Sequence, residues 1–243
     1  MISERQQNEL NHDKHILVQS EKVWGREGKA GKLRVERRAK MIVDYGKINK
    51  ETKILEIGCG TGTLTELLVK TGANIVATDI FPEFLDAAKK RTNSPNVIFQ
   101  LADAEKLENF PDESFDVVCG LSILHHLDIE KTFDSIKRVL KNGGCLIFSE
   151  PNMLNPQIAL QKNIPFIKKM AGDSPDETAF FVWKLKNILK NKGFTDLKIE
   201  SFDFLHPSIP DGLAIFIDKV GKILDKTPII KEIAGSIFIG ARK

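Results

Sequence analysis

The chain has 243 residues, 42% of them hydrophobic and 28% charged, with a net charge of +3. That length suits one domain with a sizeable core, and the slight positive excess is too small to imply a nucleic-acid partner. No run of about 18 apolar residues occurs, so no membrane-spanning helix is expected.

The N-terminal stretch MISERQQNELNHDKH is polar and lacks the apolar centre of a signal peptide. Three cysteines, Cys59, Cys119 and Cys145, are an odd number without metal-ligand spacing. They read as structural thiols of a reduced, cytoplasmic protein, with no metal centre expected. Between Lys22 and Lys40 eight basic residues face only Glu27 and Glu36. A helix is expected from about Leu33 to Tyr45, with these charges on a solvated face or in a lid over an acidic group.

Lys53–Ile57 reads as a strand buried on both faces, as in a parallel sheet. Gly58, Cys59, Gly60, Thr61, Gly62 and Thr63 follow as a tight turn into a helix. Alternate glycines let a ligand lie against the backbone, and the free N–H groups of the helix start point back toward it. A dinucleotide turn wants G-x-G-x-x-G, but Thr63 stands where its third glycine belongs. Glu56, two positions before the first glycine, repels phosphate and suits a ligand with a cationic end. E-x-G-C-G-T-G closely resembles the first motif of class I S-adenosylmethionine-dependent methyltransferases, in the broad group that includes the ubiquinone-biosynthesis methyltransferases. The resemblance implies a Rossmann-like, doubly wound α/β sheet of seven strands, mostly parallel with an antiparallel last strand and helices on both faces. It also implies S-adenosylmethionine as cofactor and S-adenosylhomocysteine as product. Trp24-Gly25 ahead of Arg34, Arg37 and Arg38 loosely resembles the N-terminal lid of such enzymes.

Leu64–Lys70 is expected as a helix stopped by Gly72, and Asn74–Ile80 as the second strand. Asp79 at its end can accept hydrogen bonds from both ribose hydroxyls, with Ile80 packed on the adenine; Pro82 opens the next helix, to Arg91. After a third strand, Val97–Leu101, comes Ala102-Asp103-Ala104. The resemblance implies that Asp103 accepts the adenine amine, although an Asp in a turn also mimics a backbone acceptor. Phe115–Gly120 is the fourth strand, expected beside the first where the sheet order reverses, which makes Gly120 and Leu121 candidate cofactor contacts.

His125 and His126 follow. Either is a candidate general base, while neighbouring histidines are expected to point apart and not to hold a metal. Placing donor and acceptor in line supplies about 7–11 kcal/mol of such a barrier in favourable cases. Asp128 caps a helix over Ile129–Lys141, ended by Asn142-Gly143-Gly144, before strand five at Cys145–Ser149. The segments FPDESFDVV and LKNGGCLIFSEPN also resemble this family, so four motifs stand in order between Lys53 and Asn152.

The remainder is less regular. Asn152–Met170 reads as an insertion or cap. Ser174-Pro175-Asp176-Glu177 spells a capping box for a helix to Lys190. A strand is expected over Phe194–Phe204, and a helix over Leu213–Leu224 whose apolar face packs on the sheet, covers an apolar substrate as a lid or, placed last, lies on a membrane surface. The last strand is expected at Gly235–Arg242. Glu150, Asn155 and His206 are placed by position near an acceptor pocket.

No linker or repeat divides residues 1–243, so one methyltransferase domain is expected: an N-terminal helical segment or lid over 1–50, a cofactor core over 51–152, and a C-terminal half over 153–243 carrying substrate-cap insertions. The partner is a small-molecule acceptor, apolar or lipid-like, with oxygen, nitrogen and carbon methylation all open. No dedicated nucleic-acid module is visible. Two alternatives stand beside an enzyme: a catalytically silent module binding the same cofactor, and, less favoured, a nicotinamide oxidoreductase.

Overall fold

The computed structural model describes residues 20–174 and 177–243. Seven strands form one sheet: β1 (Lys53–Ile57), β2 (Asn74–Asp79), β3 (Val97–Leu101), β4 (Phe115–Leu121), β5 (Leu140–Pro151), β6 (Thr195–Phe202) and β7 (Ser236–Arg242). Their order is β3-β2-β1-β4-β5-β7-β6. β1 to β5 are mutually parallel, and β7 runs antiparallel to both β5 and β6. The seven-stranded, doubly wound expectation holds, with the order reversing between β1 and β4.

Period-two alternation explains why these strands need helices on both faces. Leu55 and Ile57 enter one core, with Phe133, Ile136 and Val139 of α5 (Ile129–Val139) and Leu185 and Leu189 of α8 (Val182–Asn191). Ile54 and Cys59 enter the other, with Val35, Ala39 and Ile42 of α2 (Gly28–Gly46) and Leu64 and Leu68 of α3 (Thr63–Leu68). Neighbours in sequence thus face opposite cores, as a pleated strand requires. The N-terminal segment contributes α1 (Ser20–Val23), and α4 (Pro82–Arg91) starts on its proline as expected. Asp128 caps α5 by accepting the Lys131 N–H at 3.3 Å.

Four expectations need correction. α5 ends at Val139, and Asn142-Gly143-Gly144 lies inside β5; Gly143, at φ +77°, sits where the β4–β5 register slips between Phe115 and Val117. The extra residues are a bulge in a long strand rather than a helix stop. Second, the capping glutamate does receive the Ser174 N–H (3.1 Å), but no helix starts there among the described residues. α8 begins at Val182, and Phe180 instead pairs with Asn152 as an isolated bridge; Pro175 and Asp176 lie outside the described residues, as do residues 1–19 of the polar N-terminus.

Third, α9 (Asp211–Leu224) does not lay its large apolar residues on the sheet. It buries Ala214, Asp218 and Gly221 toward α2, while Phe216 is 64% and Ile223 66% exposed. Small residues at one spacing allow close approach, and the bulky set one notch away is left outside. Fourth, the basic run is a solvated face only in its lysines: Lys22, Lys29, Lys32 and Lys40 are exposed, whereas the arginines turn inward. Arg38 is buried, Arg34 and Arg38 both reach Asp203 at 2.9 Å, and Arg37 pairs with Asp225. The segment after β5 forms two short helices, α6 (Pro156–Asn163) and α7 (Pro165–Ala171).

Candidate active site

The C-terminal ends of β1, β2 and β4 open into one cavity of ≈ 420 Å³. Its floor is the glycine turn. Gly58, Gly60 and Gly62 all take positive φ, at +63°, +54° and +80°. A Cβ on Gly58 would stand 2.4 Å from Ile123 Cγ1, and one on Gly60 3.1 Å from the Trp24 ring. Only a residue without a side chain fits either place. Gly58→Ala is therefore expected to cost at least about 2 kcal/mol, lowering the melting temperature by roughly 4–8 °C in a thermal melt.

Asp79 ties the turn together: its Oδ2 accepts the Gly60 N–H at 2.8 Å and its Oδ1 the Phe81 N–H at 3.0 Å. Burial lifts this carboxyl to about 6, against the pull of the amides of Phe81, Gly60 and Ile80. Glu56 lies beneath the turn, 1% exposed, and takes the Thr65 hydroxyl at 2.7 Å. Burial raises it to about 8, although Thr65 and the Arg26 guanidinium both favour its ionised form. A buried carboxyl held this high gains from an arriving cation. A glycine cradle above this carboxyl fits a nucleoside with an ammonium or sulfonium end.

Of the residues expected at the site, Gly58, Gly60, Asp79, Ile80, Ala102, Asp103, Ala104, Leu121, His125 and His126 line this cavity. Glu56, Cys59, Thr61, Gly62, Thr63 and Gly120 do not. Gly62 packs on Ala88, and Gly120 on the Ile57 carbonyl and Ile123. Thr61 and Thr63 donate their hydroxyls to Glu21 of α1, which also lies 3.4 Å from Arg91. Asp103 closes an Asx turn on the Glu105 N–H (2.9 Å) and meets Lys106 at 3.1 Å, so both of its readings remain compatible.

His125 and His126 sit on a 3-10 turn (Leu124–His126) after β4. His125 is buried between two carboxylates, Nδ1 at 2.6 Å from Glu150 and Nε2 at 3.3 Å from Glu177. Burial alone would lower its pKa, but Glu150 and then Glu177 overcome that and raise it to about 9. Glu150 also accepts the Ile123 and Leu124 N–H groups at 3.0 and 2.9 Å, so it fixes the turn from below instead of lining the pocket. Asn155 and His206 do line it.

The expectation that the histidines point apart is corrected. Their ring centroids are 4.1 Å apart, and with Glu177 they bring ligating atoms within 4.8 Å of one another. The same Glu177 oxygen is taken by Lys162 of α6, so this cluster already contains an ammonium and a protonated imidazole. Sequence reasoning missed Glu177, Lys162, Arg26 and Asp203 as site residues; Glu177 and Asp203 meet His125 and Arg38 from far along the chain.

Residues 55–148 match the family described as "Methyltransferase domain". That match supports a class I S-adenosylmethionine-dependent methyltransferase. Demethylmenaquinone methyltransferase of Chlorobaculum tepidum is 37% identical to it over 120 residues, 49% of this chain and 48% of that one. An uncharacterised methyltransferase-like protein of Schizosaccharomyces pombe is 30% identical, over 67% and 62%. The chain spans about half the length of most curated relatives it matches. A solved S-adenosylmethionine-dependent methyltransferase of Thermotoga maritima, a possible histamine N-methyltransferase, superposes on this chain with a TM-score of 0.66 at 20% identity. That match covers 96% of this chain and 99% of the other. Phosphoethanolamine N-methyltransferase 2 of Haemonchus contortus, in complex with S-adenosyl-L-methionine, gives 0.63 at 20%, over 85% and 52%.

Proposed function

We propose that this protein transfers a methyl group from S-adenosylmethionine to a small organic acceptor, releasing S-adenosylhomocysteine. The observation that carries the reading is the meeting of three features in one cavity: the glycine turn, Asp79 at the end of the neighbouring strand, and the histidine turn after β4. When bound, the cofactor supplies an electrophilic methyl on a good leaving group. The chain's own residues hold it. Asp79 keeps lone pairs for the ribose hydroxyls beyond those spent on Gly60 and Phe81, and Ile80, Ala102, Asp103 and Ala104 border the adenine. Gly58, Gly60 and Leu121 would hold the amino-acid arm, and Glu56, buried beneath the turn, would favour its positive charge.

His125, already protonated near neutral pH, is a positioning residue held by Glu150 and Glu177. His126, which faces the cavity, is the proposed acceptor of the substrate's proton. An apolar or lipid-like acceptor is supported by relatives named for demethylmenaquinone and for ubiquinone biosynthesis, and by Phe204, Leu205 and Ile158 in the cavity wall. Among the described residues no helix is long and apolar enough to cross a membrane. The buried free thiols of Cys59, Cys119 and Cys145 support a cytoplasmic assignment, and we read residues 1–243 as one catalytic unit with caps over 153–243.

Calorimetry with S-adenosylmethionine, followed by incubation of the protein with methyl-labelled cofactor and a small-molecule extract, tests this reading. Binding and label transfer are expected. Binding without transfer would favour the silent module, and absence of binding would reject the cofactor assignment.

A further inference from the structure

Three arginines on one face of α2 meet only two carboxylates, Asp203 just after β6 and Asp225 just after α9. Arg37 pairs with one oxygen of Asp225, whose other oxygen takes the Asp203 N–H at 2.9 Å. Arg34 Nε and Arg38 Nη2 instead share a single oxygen of Asp203, each at 2.9 Å. Its other oxygen faces neither arginine and takes the Leu205 N–H at 3.2 Å. Arg38 Nη2 also donates to Ser236 Oγ at 2.7 Å, but its Nε is buried with no hydrogen-bond partner among the described residues. Arg38 is only 9% exposed, yet both it and Arg34 border the cavity.

A buried guanidinium with an idle donor and half a counter-ion is expensive to keep charged. Burial, followed by repulsion from Arg34, pushes Arg38 down to about 9 despite Asp203. The other basic groups at this end are not placed to hold a further anion. Lys162 is occupied by Asp173 and Glu177. The ring of His206 is held below its usual pKa by burial and by Arg34, and so is neutral. Arg26 lies toward the glycine turn, beside Glu56 and Glu21, at the cofactor's end.

We infer that Arg34 and Arg38 form an anion subsite for the methyl acceptor, so that the substrate carries a carboxylate or phosphate on an apolar body. The apolar part rests against Phe204, Leu205 and Ile158, which border the same space. This inference rests on the reading that the cavity holds a methyl acceptor beside the cofactor. The competing source of the same chemistry is the cofactor's own carboxylate.

Calorimetry on the full chain separates these. S-adenosylhomocysteine is titrated first; then hexanoate, hexyl phosphate and the neutral hexanamide are titrated with S-adenosylhomocysteine present. One of the two anions is expected to bind about tenfold or more tighter than the amide, and which one does so distinguishes carboxylate from phosphate. Arg38→Met should remove that preference and leave S-adenosylhomocysteine affinity within about twofold. Should Arg38→Met not fold, Asp203→Asn decides: it keeps the shape, frees the arginine donors, and should tighten the preferred anion severalfold. Equal binding of anions and amide, or an Asp203→Asn variant that leaves anion binding unmoved, would overturn the subsite. So would an Arg38→Met loss confined to S-adenosylhomocysteine. If S-adenosylhomocysteine itself does not bind, the methyltransferase reading fails separately, and the same anion series on the ligand-free chain still decides the subsite.

Discussion

Asp79→Ala is expected to weaken S-adenosylmethionine binding by about a hundredfold or more. The wild-type carboxylate does two jobs at once. It fixes the turn through the Gly60 and Phe81 amides at 2.8 and 3.0 Å, and it keeps capacity for two ribose hydroxyls. Charge-assisted hydrogen bonds are worth about 1.5–3 kcal/mol each before compensation, so two of them already account for roughly 3 kcal/mol, or a factor of about 100. Asp79→Asn, with one acceptor oxygen in place of two, should fall between. Calorimetry checks both, and an alanine variant with native affinity would remove the ribose from this position.

The second large effect concerns the cap. With its folded pKa raised to about 9 from an ordinary value of 6.5, His125 binds its proton more tightly in the native state than in the unfolded one. The stability it contributes is therefore fully present below about pH 6.5 and lost as pH rises through 9. A shift of that size is worth about 3 kcal/mol, since each unit is ~1.4 kcal/mol. The partners set what is lost: Glu177 belongs to the segment before α8 and also meets Lys162 of α6, so the cap insertions are latched to the histidine turn. Thermal melts of the wild type at pH 6.5 and 9.5 should differ by roughly 6–12 °C more than melts of His125→Gln over the same interval. Parallel pH profiles for the two proteins would show that His125 carries no such charge.

What could be read from the chain, and what could not, divides by the range of the interactions. β1, α4, β3 and the Asp128 cap depend on residues within a few positions of one another, and their bounds follow from glycine, proline and apolar spacing. The seven-stranded sheet with its antiparallel last strand, and β4 beside β1, follow from the family resemblance that the ordered motifs carry. The cavity's charged lining does not follow. Arg38 and Asp203 are 165 positions apart, and nothing local to either announces the other. The histidines were expected to diverge because adjacent side chains do so on a strand, but a 3-10 turn brings the rings together. α9 showed its periodicity plainly; which stripe would be covered depended on α2 approaching closely enough to need Ala214 and Gly221. The Ser174–Glu177 box formed its hydrogen bond without a helix because the glutamate also serves the histidine turn.

The indole of Trp24 lies over Gly60 and meets Phe84 edge-on, with ring centroids 5.2 Å apart, whereas the chain's other indole, Trp183, is 50% exposed and stacked on Phe181. The protein consequently carries its own optical probe of the cradle. Light absorbed at Trp183 reports on bulk water, and that at Trp24 on whatever shares its niche, so the two emissions can be separated by a water-borne quencher without attaching a dye.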